Sequence, residues 1–138
     1  MQVFRVTALC VLVLGFAAIA VVATAPGHPE IAPLLVLQDT RVADQDDMCV
    51  WLHPENATQS TIIASDKAAA KLFVYDLEGA TLQVVPIDGK PGNIDLRHGF
   101  PLGGRNVDIV ALNERAHSSI LVYAIHKKSR ELVRVDND

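Results

Sequence analysis

Cysteine is nearly absent: the 138 residues contain Cys10 and Cys49 and no others. Cys10 falls in an apolar N-terminal run, which leaves Cys49 alone in the remainder and excludes an internal disulfide there. Cys49 stands in the apolar stretch Met48-Cys49-Val50-Trp51, the setting of a small buried hydrophobe. Aromatic residues make up 5% of the chain, and Trp51 is the only tryptophan, with a core anchor as its default role. Basic residues are outnumbered, 12 against 16 acidic ones. That balance argues against nucleic acid or an anionic membrane surface as partners and is compatible with a chain that gathers cations. No window carries a sustained helical stripe with caps. There is no DxDxDG loop, CxxC cluster or HExxH, so an EF-hand is excluded and the usual zinc sites have no support. No serine stands in a G-x-S-x-G context, and Gly103-Gly104-Arg105 lacks the Lys and Ser/Thr of a P-loop. His28, His53, His98, His117 and His126 show no metal-ligand spacing.

Long apolar runs occur once. Arg5 precedes Val6–Ala25, an uncharged stretch ending in small residues. This is the layout of a secretory signal, and residues 1–25 are read as one, directing the chain to an extracellular or periplasmic location. An uncleaved anchor is the competing reading, because the run is nearly long enough to span a bilayer. Cleavage would remove one positive charge, Arg5, and make the net charge of −4 one unit more negative. Residues 26–38 read as a Pro-containing linker that enters a first strand near Leu34–Leu37, and Asn56-Ala57-Thr58 is a glycosylation sequon.

Beyond the linker the apolar residues come in short runs: 49–52, 61–64, 72–75, 83–87, 107–112, 120–125 and 132–135. They are rich in Val and Ile and are separated by Glu78-Gly79, Asp88-Gly89, Pro91-Gly92 and Gly103-Gly104, so the chain is all-β. It also repeats itself. Setting Val74-Tyr75 on Val122-Tyr123 gives an offset of 48 that also aligns Asp47 with Asp95, Asp66 with Glu114 and Lys67 with Arg115. A repeat of about 40–50 residues built from short strands is the signature of antiparallel propeller blades. Residues 39–138 hold about two blades, whereas closed propellers have about four to eight. The expectation is an incomplete propeller, either a fragment or a subunit that self-associates through open blade edges.

Lys67 and Arg115 occupy equivalent positions at strand ends and therefore lie on one face around one axis. Two such cations suit a shared anion, with Arg presenting a bidentate fork and Lys a point charge. Solvated surface charge is the plain alternative. Asp46-Asp47 opens the first blade and offers hard oxygen ligands for Ca²⁺, although a solvated turn explains such a pair equally well.

Three segments, taken in order, are similar to the N-terminal part of the β-propeller phytases. They are Asp46-Asp47-Met48-Cys49-Val50-Trp51-Leu52-His53-Pro54, Ser65-Asp66-Lys67 with Leu72 to Gly79, and Asn93 to Arg97 running into Phe100 to Gly104, Val107-Asp108-Ile109 and Arg115. The resemblance covers residues 39–135. It implies a six-bladed propeller that removes phosphate from phytate (inositol hexakisphosphate) or other inositol phosphates with bound Ca²⁺. It implies that the Asp47 carboxylate and the carbonyls of Met48 and Ile94 hold a structural calcium, and that Lys67 and Arg115 contact substrate phosphate. Met48 stands where many members have Pro, and Ala68 where some have a second Lys. The carboxylates of the catalytic calcium ions are expected in later blades, so no catalytic residue is assigned here. The rival expectation is a secreted, non-catalytic binding module or an inactive remnant.

Overall fold

A computed structural model describes residues 31–136. The elements named here belong to one compact unit that begins at Pro33. The proposed signal segment lies outside the described residues.

Eight strands form two four-stranded antiparallel sheets. The first contains β1 (Gln45–Trp51), β2 (Thr61–Asp66), β3 (Lys71–Tyr75) and β4 (Thr81–Pro86), and the second β5 (Pro91–Leu102), β6 (Arg105–Glu114), β7 (Ser119–Ile125) and β8 (Leu132–Arg134). Each sheet runs in simple sequential order, the meander of a propeller blade. The offset of 48 carries β1 into β5, β2 into the end of β6, β3 into β7 and β4 onto β8, so the repeat in the sequence is the repeat in space.

Period-two alternation decides which way each side chain points. In the first sheet Cys49, Trp51, Ile63, Leu72, Val74 and Val85 face the second sheet, where they meet Ile94, Leu96, Val110, Leu112, Leu121 and Tyr123. Fully burying each large side chain of this layer is worth roughly 1.5–3 kcal/mol, so this is the seam that holds the blades together. The opposite face of the first sheet carries Ala64, Phe73 and Tyr75, covered by Leu37 and Val42.

Polar bonds fix the blades in register. Trp51 is fully buried, and its indole Nε1–H donates to Asp108 Oδ2 at 2.8 Å. The Gln83 amide donates to the Leu132 carbonyl and accepts the Leu132 N–H, which ties β4 to β8. Asp66 and Glu114, equivalent in the repeat, do the same work in each blade. Asp66 accepts the N–H groups of Ala43, Asp44, Ala68 and Ala69, and Glu114 those of Lys90, Ala116 and His117. Each buried carboxylate thereby joins the entry of its blade to the turn after the second strand. Burial alone would raise the Asp66 pKa, but the backbone donors outweigh it and leave it lowered. For Glu114 the Lys90 N–H leads a set of donors that brings the pKa down to about 2.

Two strand expectations need correction. Leu34–Leu37 forms no strand: this stretch pairs with no neighbour, and Leu37 serves instead as a lid on Phe73 and Tyr75. Conversely, Pro91-Gly92 is not a turn but the start of β5, the longest strand, whose register shifts between Pro91 and Ile94 and again between Arg97 and Phe100. Gly103 and Gly104, with φ of 57° and 75°, make the tight β5–β6 hairpin that both positive angles require.

Candidate functional site

The strand ends at the entry of both blades bring together the acidic pair and the basic pair singled out in the sequence. Lys67 follows β2 and Arg115 follows β6, and each backbone N–H is held by the blade-entry segment, Lys67 by the Asp44 carbonyl and Arg115 by that of Lys90. This shared anchoring projects both side chains to the same end of the sheets. Lys67 Nζ lies 2.9 Å from Asp46 Oδ1 and 3.3 Å from Asp44 Oδ2. Arg115 Nη2 lies 3.3 Å from Asp46 Oδ2 and also donates to the Pro91 carbonyl.

Asp46 therefore bridges two cations from successive blades. The hydrogen bond from Lys67 leads the causes that lower its pKa, with the charges of Lys67, Arg115 and Lys90 adding to it. Lys67 is raised in turn, first by Asp46 and then by Asp44. The cations remain open to water, their side chains 31% and 44% exposed, so an incoming anion reaches them. Among the described residues the side-chain bonds of Arg115 run through Nη2 alone, which leaves the Nε and Nη1 donors open to an anion. The sequence marked Asp46 only as half of an acidic pair. Its bridging position depends on two residues, 21 and 69 positions away, that fold onto it.

Asp47, the next residue, points the other way, into the seam between the sheets. Its Oδ1 accepts the Met48 N–H at 2.9 Å and its Oδ2 the Ile94 N–H at 3.0 Å. Ser65 adds a second link by donating from Oγ to the Gly92 carbonyl at 2.8 Å. Asp47, Met48 and Ile94 are thus neighbours across β1 and β5. Asp47 also lines an open concavity of about 650 Å³ with Asn93, Asp95, Ala111, Asn113 and Ile120. Asn113 Oδ1 is a buried acceptor there with no hydrogen-bond partner.

The Asp47 carboxylate is a hard oxygen ligand of the kind Ca²⁺ takes, and here both of its oxygens accept backbone N–H groups. Among the described residues no three His, Cys, Asp or Glu side chains converge as a metal-binding group. A site here would therefore combine one carboxylate with backbone carbonyls. Burial first, then Asp95 and Asp47, push the thiol of Cys49, beside it, up to about 12.

A further concavity, of about 540 Å³, is lined by His53, Glu55, Gln59, Lys127 and Lys128. No helix among the described residues is long and apolar enough to cross a membrane.

Comparison with known proteins agrees with the segments that carry the resemblance. The family model described as Phytase matches residues 6–138. The 3-phytase of Bacillus subtilis (strain 168) is 40% identical over 100 residues, which cover 71% of this chain and 25% of that protein. The chain spans about a quarter of the length of this curated relative. Two sequential four-stranded blades and a family match over nearly the whole sequence place this chain in the phytase family.

Proposed function

We propose that this chain supplies the phosphate-receiving part of a secreted, calcium-dependent phosphatase that hydrolyses phosphate monoesters of phytate. The observation that carries the proposal is the convergence of Lys67 and Arg115, from two blades, on the single carboxylate of Asp46. A phosphate group is the natural competitor for that arrangement. It carries more charge than a carboxylate and more acceptor oxygens, and it matches the guanidinium fork. In this reading Asp46 keeps the cations aligned and partly neutralised until substrate arrives.

Asp47 and the carbonyls of Met48 and Ile94 would hold a calcium ion whose contribution, when bound, is to cross-link β1 to β5. That link would steady the blade entry from which Asp46 projects. In the same proposal the groups that activate water lie outside these two blades. Family membership and the relative's printed activity support the choice of substrate.

Titration calorimetry of the full chain tests this reading. Phytate should bind with an affinity that weakens as salt rises, because the contacts are ionic, and myo-inositol, which has no phosphate, should give no heat. Equal behaviour of the two compounds, or no phytate binding at low salt, would overturn the proposal.

A further inference from the structure

The two blade entries are built alike in their backbone and unlike in their charge. In the first blade Asp44 donates its N–H to the buried carboxylate of Asp66, and its carbonyl accepts the Lys67 N–H at 3.2 Å. In the second blade Lys90 donates its N–H to the buried carboxylate of Glu114 at 2.6 Å, and its carbonyl accepts the Arg115 N–H at 2.9 Å. Strand pairing agrees, since the next residues, Gln45 and Pro91, stand opposite Asp66 and Glu114. Asp44 and Lys90 are therefore equivalents. The sequence offset of 48 hides the match, because it carries Asp44 to Gly92.

Exchanging an acid for a base reverses the local field. Lys67 lies between two carboxylates, Asp46 at 2.9 Å and Asp44 at 3.3 Å. Among the described residues Arg115 pairs with Asp46 alone, at 3.3 Å, and the residue at its blade entry adds a positive charge instead of a negative one. Arg115 is also stitched to the segment that carries Lys90. Its N–H bonds to the Lys90 carbonyl, and its Nη2 reaches the Pro91 carbonyl at 3.4 Å. No carboxylate among the described residues lies within ion-pair distance of Lys90. The charge of Lys90 is felt at the shared acid, where it adds to Lys67 and Arg115 in lowering the Asp46 pKa.

We propose that Lys90 is a third phosphate-contacting residue, placed beside Arg115, and that Asp44 restrains Lys67, so that the second blade's side of the site meets most of the anion's charge. This rests on reading Lys67 and Arg115 as a phosphate site. Lys90 sets a point charge on a flexible stem next to the planar fork of Arg115, and the two suit different oxygens of one anion. The role belongs to the side chain alone, because the bonds that join Lys90 to its blade run through its main-chain N–H and carbonyl.

Calorimetric titration of the full chain with phytate at low salt tests this, each variant being checked for unchanged far-ultraviolet dichroism. Lys90→Ala should weaken binding by about fivefold, the scale of one exposed ionic contact, and should flatten its dependence on salt. Lys90→Arg should restore both. Lys90→Asp, which gives the second entry the charge of the first, should weaken binding further than Ala does. Asp44→Asn should act in the opposite direction and strengthen binding by about twofold. Lys67→Ala combined with Arg115→Ala separates the inference from the reading beneath it. If that double variant loses phytate while Lys90→Ala binds as the wild type does, the site stands and the role of Lys90 is overturned. If the wild type binds no phytate, both fall. A loss on Asp44→Asn as large as that on Lys90→Ala would mark the two residues as supports of the blade entry and also overturns the inference.

Discussion

Replacing Asp108 with Ala removes the acceptor that joins the blades at Trp51. Three groups lose it: the indole N–H at 2.8 Å, the Gly99 N–H at 2.9 Å and His98 Nδ1 at 3.4 Å. Their losses are unequal. Gly99 and His98 are exposed and regain water, whereas Trp51 is fully buried and cannot. A single orphaned buried donor costs about 1–3 kcal/mol, so the expected destabilisation is about 2 kcal/mol. With a denaturant slope of about 1.5 kcal/mol per molar urea for a small domain, the midpoint should fall by about 1.3 M. Against a typical total of about 5–15 kcal/mol the variant still folds. Urea melts followed by dichroism measure the shift, and Trp51, the only tryptophan, reports the same transition by fluorescence. Asp108→Asn keeps an acceptor for the indole and should lose less than Ala. In a Trp51→Phe background, where the donor is already gone, Asp108→Ala should cost under about 1 kcal/mol. An equal cost in both backgrounds would refute the reasoning, because the loss would then not arise from the indole bond.

Three further outcomes follow from the same structure. Asp66, Asp108 and Glu114 all have lowered pKa values, the last down to about 2. Their stabilisation is therefore present above the ordinary carboxylate values and is lost as pH falls through the folded ones. Thermal melts should show Tm level near neutrality and dropping between about pH 4.5 and pH 2, with Glu114→Gln flattening that drop. Gly89 adopts φ 126°, and an added Cβ would run into the Glu114 carboxylate. Gly89→Ala should therefore cost about 2 kcal/mol or more in a urea melt. Calcium at a hundredfold excess over its Kd should add about 2.7 kcal/mol and several degrees of Tm. Asp47→Asn should abolish that gain, and identical melts in calcium and in chelator would remove the cation site.

Much of the fold was legible because each blade is local. Seven strands announced themselves as Val- and Ile-rich runs between turn residues, and the offset of 48 aligned the two sheets. Strand β5 was hidden because Pro91-Gly92 read as a turn, whereas register shifts absorb irregularity in this strand without breaking the ladder. Leu34–Leu37 misled for the opposite reason, since its apolar side chains serve as cover and not as a sheet edge. Within the site, Lys67 and Arg115 could be paired because the repeat makes them equivalent. The bridging position of Asp46 and the grip of Asp108 on Trp51 could not be seen, because each joins residues of different blades. Asp66 and Glu114 aligned in the sequence, yet their partners are backbone N–H groups, which leave no trace in residue type.

The central proposal is that Lys67 and Arg115 form one phosphate site built from two blades. Its most direct test is phytate titration of Lys67→Ala combined with Arg115→Ala, beside a control carrying Lys127→Ala and Lys128→Ala in the other lysine-lined concavity. The first variant should weaken binding by at least about tenfold, corresponding to about 1.4 kcal/mol, and the control should leave it unchanged. Equal losses in both variants, or none in the first, would contradict the account and return Lys67 and Arg115 to ordinary surface charge.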